Sequence, residues 1–212
     1  MDRWPPQGGP NEREALTLAY GHSFSTRSFA TITVPSFRNI GVDDSQSGVG
    51  DPSLATRYTL VMPDLTEPWM PQVQIMGAYK QSQARSVHDT QDARELLDVF
   101  GTGFSDVRAG VDLWFGQQDG KFGVAQTVTY PLAKSYDGAR YQPGLSARST
   151  ATFGYQWAAS AKTLFGVNRE QVGLLTVDDT KISNSDQLSH SVFVTQDYYP
   201  LPGQHLRLTI SQ

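Results

Sequence analysis

The sequence has no cysteine in its 212 residues. That excludes a disulfide scaffold, a thiolate metal site and a cysteine nucleophile. It also has no apolar run of about 18 residues, so it carries no candidate transmembrane helix. Charge is sparse: Asp, Glu, Lys and Arg make up 18% of the chain, against about 25% in an average globular domain. With 17 basic and 21 acidic residues the formal net charge is −4, which gives no electrostatic footprint for nucleic acid. Helical periodicity is nearly missing. The one amphipathic stretch is 91–100, where Ala93, Leu96, Leu97 and Phe100 follow i, i+3, i+4, i+7 spacing. The mean hydropathy of −0.40 describes an ordinary hydrophilic chain, with one exception. A transmembrane β-barrel also averages to a hydrophilic value, because every second residue faces the lumen.

What the sequence does have is period two. Leu16, Leu18 and Tyr20 alternate with Thr17, Ala19 and Gly21. Leu54, Tyr58, Leu60 and Met62 alternate with Asp51, Ser53, Ala55, Arg57 and Thr59. Val107, Val111, Leu113 and Phe115 alternate with Asp106, Arg108, Gly110 and Asp112. The same pattern runs through 72–80, 122–130 and 145–157, and more weakly through 162–169, 189–198 and 204–212. Counting 30–34 as well gives about ten strands. Many reach the roughly 9–11 residues that a tilted transmembrane strand needs, longer than the 5–6 typical of soluble sheets.

Two further patterns separate a membrane barrel from a soluble β-sandwich, which also alternates. Aromatic residues gather at strand ends: Tyr58, Phe115, Tyr130, Tyr155, Trp157 and Tyr198, with Trp69 in a connection. Such rings suit the lipid–water interface on both sides of a barrel. Connections also alternate in length. Those at 25–27, 63–70, 116–120, 158–161 and 200–203 are short, and those at 41–50, 81–102, 133–143 and 170–188 are long. Short turns opposite long loops are the asymmetry of an outer-membrane barrel. The sequence thus predicts an all-β, antiparallel, up-and-down transmembrane β-barrel, with a soluble β-sandwich binding module as the alternative. Residues 1–14 read as a disordered or irregular segment, and 15–212 as the barrel. Barrels of this kind start and finish on the periplasmic side, so the reading expects one strand missing or unrecognised at each end and about twelve in the parent barrel.

Two Gly-x-Gly segments stand out: GVGDPSLATRYTL from Gly48 and GTGFSDVRAGVDLWF from Gly101. In each, glycine is expected to supply positive φ at a strand entry, and an inward charged row follows. No helix follows to make a phosphate loop. With the VPSF stretch from Val34, these segments resemble the outer-membrane barrel family of meta-pathway phenol-degradation proteins. The similarity extends over most of the chain from Tyr20 onward. It departs after Lys80, where Gln81-Ser82-Gln83 replaces the family's Pro-Thr-Gly turn. The resemblance implies an outer-membrane channel that takes up aromatic or hydrophobic compounds.

The expected lumen-lining charges are Asp51, Arg57, Lys80, Asp106, Arg108, Asp112 and Arg148. Opposed charges set a pore's field, and in a narrow lumen they also pair. The same row therefore serves a solute channel or a non-conducting barrel plugged by ion pairs. Catalysis is not expected: His190 stands beside Ser189 and Ser191, but no Gly-x-Ser-x-Gly elbow is present. The acidic sets His88, Asp89, Asp92 and Asp178, Asp179 lack the spacing of a cation loop. No cofactor and no metal are expected. The expected partners are membrane lipid, lipopolysaccharide and a small solute, in the outer membrane of a Gram-negative bacterium.

Overall fold

The structure is a computed structural model that describes residues 12–42, 44–62, 70–89, 96–116, 120–202 and 204–211. In chain order the strands are β1 (Glu12–Ser23), β2 (Ser28–Ile40), β3 (Ser45–Val49), β4 (Ser53–Val61), β5 (Gln72–Lys80), β6 (Asp106–Phe115), β7 (Gly120–Pro131), β8 (Lys134–Tyr136), β9 (Ala139–Gln142), β10 (Ser146–Ala158), β11 (Ala161–Val172), β12 (Thr176–Val177), β13 (Thr180–Lys181), β14 (Gln187–Tyr198) and β15 (Gln204–Ser211). Glu12 to Glu14, expected to be irregular, already belong to β1. The expectation for residues 1–11 lies outside the described residues.

Each of the ten long strands (β1, β2, β4, β5, β6, β7, β10, β11, β14 and β15) pairs antiparallel with its neighbours. β1 closes the ring, because Ala15 to His22 pair on one side with β15 and on the other with β2. The twelve-strand expectation is therefore corrected to ten. A strand paired along both edges leaves no donors or acceptors for another neighbour. The ring also excludes the two-sheet sandwich.

Outside the ring the apolar rows lie open. Leu16, Leu18 and Tyr20, Leu54, Tyr58 and Leu60, Val107 and Val111, and Leu206, Leu208 and Ile210 are all exposed. An apolar surface that wraps a whole barrel suits lipid rather than water. Inside, size is matched across strands. Trp114 stands opposite Gly123, Leu164 opposite Gly154 and Phe193 opposite Gly166. A Cβ on Gly123 or Gly166 would overlap the facing aromatic ring, so glycine here provides room for a large inward side chain.

The long connections meet at one end. The β8–β9 hairpin turns through Asp137 (φ 49°) and Gly138 (φ 84°), and the β12–β13 hairpin through Asp178 (φ 46°) and Asp179 (φ 63°). Positive φ at both central positions is the type I′ hairpin turn. β12 pairs with β9, so the two loops join in one four-stranded sheet beside the barrel mouth. The predicted helix at 91–100 does not form over its described part. Leu96 takes φ 53°, and Asn39 Nδ2 donates to the carbonyls of Leu97 (2.8 Å) and Val99 (2.9 Å). Those carbonyls are held by a strand side chain instead of helical amides. Leu96, Leu97 and Phe104 are buried.

Candidate functional site: the barrel lumen

Parity decides which strand residues enter the lumen, and the mouth at the long-loop end collects the first charge cluster. Lys80 Nζ lies 2.9 Å from Asp106 Oδ2 and 3.9 Å from Asp51 Oδ2. Arg108 Nε donates to the other Asp106 oxygen at 2.8 Å. Across the barrel Arg148 pairs with Glu170, which also accepts from Ser146 Oγ at 3.1 Å. Asp51 does more than pair. Its carboxylate accepts the backbone amides of Gln83 (2.9 Å), Ala84 (2.9 Å) and Thr102 (3.1 Å). The β5–β6 loop is thereby tied to the entry of β4.

The two Gly-x-Gly segments meet at this tie. Phe100 packs where a Gly48 Cβ would stand, and a Gly101 Cβ would meet the Asp51 carboxylate. Of the four glycines only Gly103 has positive φ, at 79°. The expectation of positive φ at Gly48 and Gly50 is thus replaced by close approach as the reason for glycine. Gly103 also anchors the loop to the β8–β9 hairpin: its carbonyl accepts from Tyr136 Oη at 2.6 Å. The Tyr136 ring stacks on His88 with centroids 3.8 Å apart. Burial holds the His88 imidazole below its ordinary pKa. Asp89 is held below the usual carboxylate range by its hydrogen bond from Ser86 Oγ.

Below the mouth lies a cavity of about 760 Å³. Thr127, Thr150, Thr152 and Asn168 line its middle, Phe104 its upper part, and Trp114 and Phe193 its lower part. The hydroxyls form short chains. Thr150 Oγ1 donates to Asn168 Oδ1 (2.7 Å), Asn168 Nδ2 donates to Ser191 Oγ (3.2 Å), and Thr195 and Thr209 hydroxyls lie 2.9 Å apart. Six of the expected residues, Arg57, Lys80, Asp106, Arg108, Asp112 and Arg148, border this cavity. Asp51 lies beside it at the mouth.

At the short-turn end stands a second cluster that the sequence reading did not name. Asp197 is fully buried and accepts two hydrogen bonds from Arg207, at 2.7 and 2.9 Å. His205 Nε2 lies 2.9 Å and Lys162 Nζ 3.5 Å from the same carboxylate. Arg57 reaches Asp112 at 3.7 Å. Tyr199, in the β14–β15 turn, stacks on His205 with centroids 5.1 Å apart. Burial raises its hydroxyl pKa to about 12. The signal was present as parity, since Asp197 shares a face with Phe193 and Thr195. It went unread because β11, β14 and β15 alternate weakly.

Of the aromatic set, Tyr58, Tyr155, Trp157 and Tyr198 are exposed at the short-turn end, with Phe115 half-buried beside them. Tyr130 is exposed at the long-loop end, and Trp69 lies outside the described residues. Trp157 Nε1 donates to Thr163 Oγ1 at 2.7 Å, leaving its ring outward. His190 points outward from β14, away from the face that carries Ser189 and Ser191. Asp178 Oδ1, in the β12–β13 turn, accepts the Arg140 amide of β9 at 2.8 Å. Among the described residues no three His, Asp or Glu side chains converge as a metal site.

No family model and no curated protein matches the chain. In fold it is similar to the crystal structure of the COG4313 outer membrane channel from Pseudomonas putida F1. The TM-score is 0.59 over 100% of this chain and 99% of that chain, at 11% sequence identity. The chain has an outer-membrane type of β-barrel fold. At this identity the likeness is one of fold, and the lumen chemistry is this chain's own.

Proposed function

We propose that the barrel is a passive channel for small solutes in the outer membrane of a Gram-negative bacterium. One observation carries the reading: a closed, outwardly apolar barrel encloses a cavity of about 760 Å³ lined by polar side chains. The fold likeness to an outer membrane channel supports it. No reaction is assigned to it. Flux follows the concentration gradient, and selectivity comes from lumen width and from the charges at its two ends. The cavity wall favours small polar solutes over purely hydrocarbon ones, because the Thr and Asn groups of its middle would lose partners against hydrocarbon. Phe104, Trp114 and Phe193 add apolar surface above and below, which suits an aromatic solute that carries hydroxyl or carboxyl groups. The resemblance of the Gly-x-Gly segments to the phenol-degradation barrel family supports the aromatic part.

Liposome swelling tests the proposal. Proteoliposomes holding the full chain should swell in isosmotic small polar solutes, hydroxylated aromatics among them, and resist large oligosaccharides. Swelling no faster than that of empty liposomes would instead support a non-conducting barrel. That alternative has its own support in the paired charges of the mouth.

A further inference from the structure

The two charge clusters differ in balance. At the mouth, Asp51, Asp106 and Glu170 face Lys80, Arg108 and Arg148, three carboxylates against three cations, joined by the contacts above. Arg13, at the upper rim, is directed to the Val99 carbonyl at 3.3 Å. At the short-turn end the groups facing the lumen among the described residues are Arg57, Lys121, Lys162 and Arg207, with Asp112 and Asp197 as the carboxylates. Lys121 follows the parity of Gly123 and Ala125 on β7 and pairs in register with Gly154. The Lys162 side chain passes 3.9 Å from the position a Gly154 Cβ would take. The two lysines therefore share one stretch of wall. Lys162 Nζ also lies 6.0 Å from the Trp114 ring.

Among the described residues, four cations against two carboxylates leave a surplus of positive charge at this level. Asp197 is fully shared: Arg207 takes both oxygens, and His205 and Lys162 crowd the same carboxylate. It cannot neutralise Lys121 as well. The surplus also sits beside the apolar wall formed by Trp114, Leu164 and Phe193. Low-dielectric walls focus a fixed charge along the axis, so a small surplus there governs which ions pass. The mouth cluster, whose three cations each have a carboxylate partner, adds little preference.

We infer that the short-turn end of the lumen is an anion filter, built from Arg57, Lys121, Lys162 and Arg207, and that the solutes favoured by the channel are small anions such as carboxylates. The inference rests on the channel reading above. It gives Lys121 and Lys162 the specificity-determining part, because Arg207 already holds both Asp197 oxygens, Lys162 only shares that carboxylate at 3.5 Å, and Lys121 stands beside it on the same wall.

The test is the reversal potential of the full chain in a planar bilayer under a potassium chloride gradient. The filter predicts the sign set by chloride, and a shift toward potassium in Lys121→Gln, in Lys162→Gln and further in the double variant. Asp197 keeps Arg207 and His205 in all three. Arg169→Gln, on the lipid-facing side of β11, should leave the sign and size unchanged. A potassium preference in the wild type, or no shift in the double variant, would overturn the filter while leaving the channel. If the wild type passes no current at all, the channel reading falls and the filter falls with it.

Discussion

Asp51 shows how one side chain sets the shape of the lumen entrance. A carboxylate that accepts three backbone amides fixes both ends of the β5–β6 loop, and hydrogen bonds to a charged group contribute about 1.5–3 kcal/mol each. Asp51→Ala should therefore loosen the docked loop by about 3 kcal/mol. Hydrogen exchange should report this as amide exchange at Gln83, Ala84 and Thr102 faster by roughly a hundredfold, with barrel amides unchanged. Unaltered exchange would show that the loop is held elsewhere. The inward side of Asp51 was legible in the sequence, because strict alternation from Asp51 to Met62 leaves one choice. Its amide contacts were not, since they come from residues 32 to 51 positions away. Gly48 and Gly50 teach a related point. Glycine marks a constraint in a sequence without saying whether it is φ or space, and here Phe37 and Phe100 need the space.

At the scale of elements, opposed large and small residues keep neighbouring strands in register. Gly166 faces Phe193, and an added methyl would strike the ring. Gly166→Ala should destabilise the barrel by about 1–3 kcal/mol, the usual cost of overpacking, seen as a lower urea midpoint for unfolding from lipid vesicles. Phe193→Leu should recover part of the loss. The loop elements carry the pH response. His88 is held below 6.5, first by burial, so the docked loop prefers it neutral. Above pH 6.5 docking is at full strength. As pH falls from there toward the lowered folded value, the undocked form takes up more protons and docking weakens, and below the folded value the loss levels off. Protection factors at Ser86 and Gly103, with the intrinsic pH dependence of exchange divided out, should thus fall between pH 7.5 and pH 5, and His88→Phe should remove the dependence. The long strands were legible because their period is uninterrupted. The helix expected at 91–100 was a fair reading of its spacing. Over its described part, 96–100, no helix forms, because Asn39, far away in sequence, takes the carbonyls of Leu97 and Val99. The strands β8, β9, β12 and β13 are too short for any period to show, although Asp137-Gly138 is a hairpin signal on its own.

At the scale of the whole molecule, all ten long strands could be placed from alternation, while closure could not. Closure depends on β1 meeting β15 almost 200 positions later, and no local pattern encodes that meeting. The expected extra strands came from a rule about where termini lie. The ring satisfies β1 on both edges without them. The missed charge cluster has the same origin, since Asp197, Arg207 and Lys162 come together only when β11, β14 and β15 are side by side. The account's central claim is that solutes pass through the polar lumen rather than along the outer wall. The absence of native cysteine makes a direct measurement possible: the conductance of single-cysteine variants in planar bilayers, before and after a bulky, charged methanethiosulfonate reagent. Thr150→Cys, inside the cavity, should lose most of its conductance on modification, and Val167→Cys, on the outer face, should lose none. Equal conductance before and after modification of Thr150→Cys would contradict the claim.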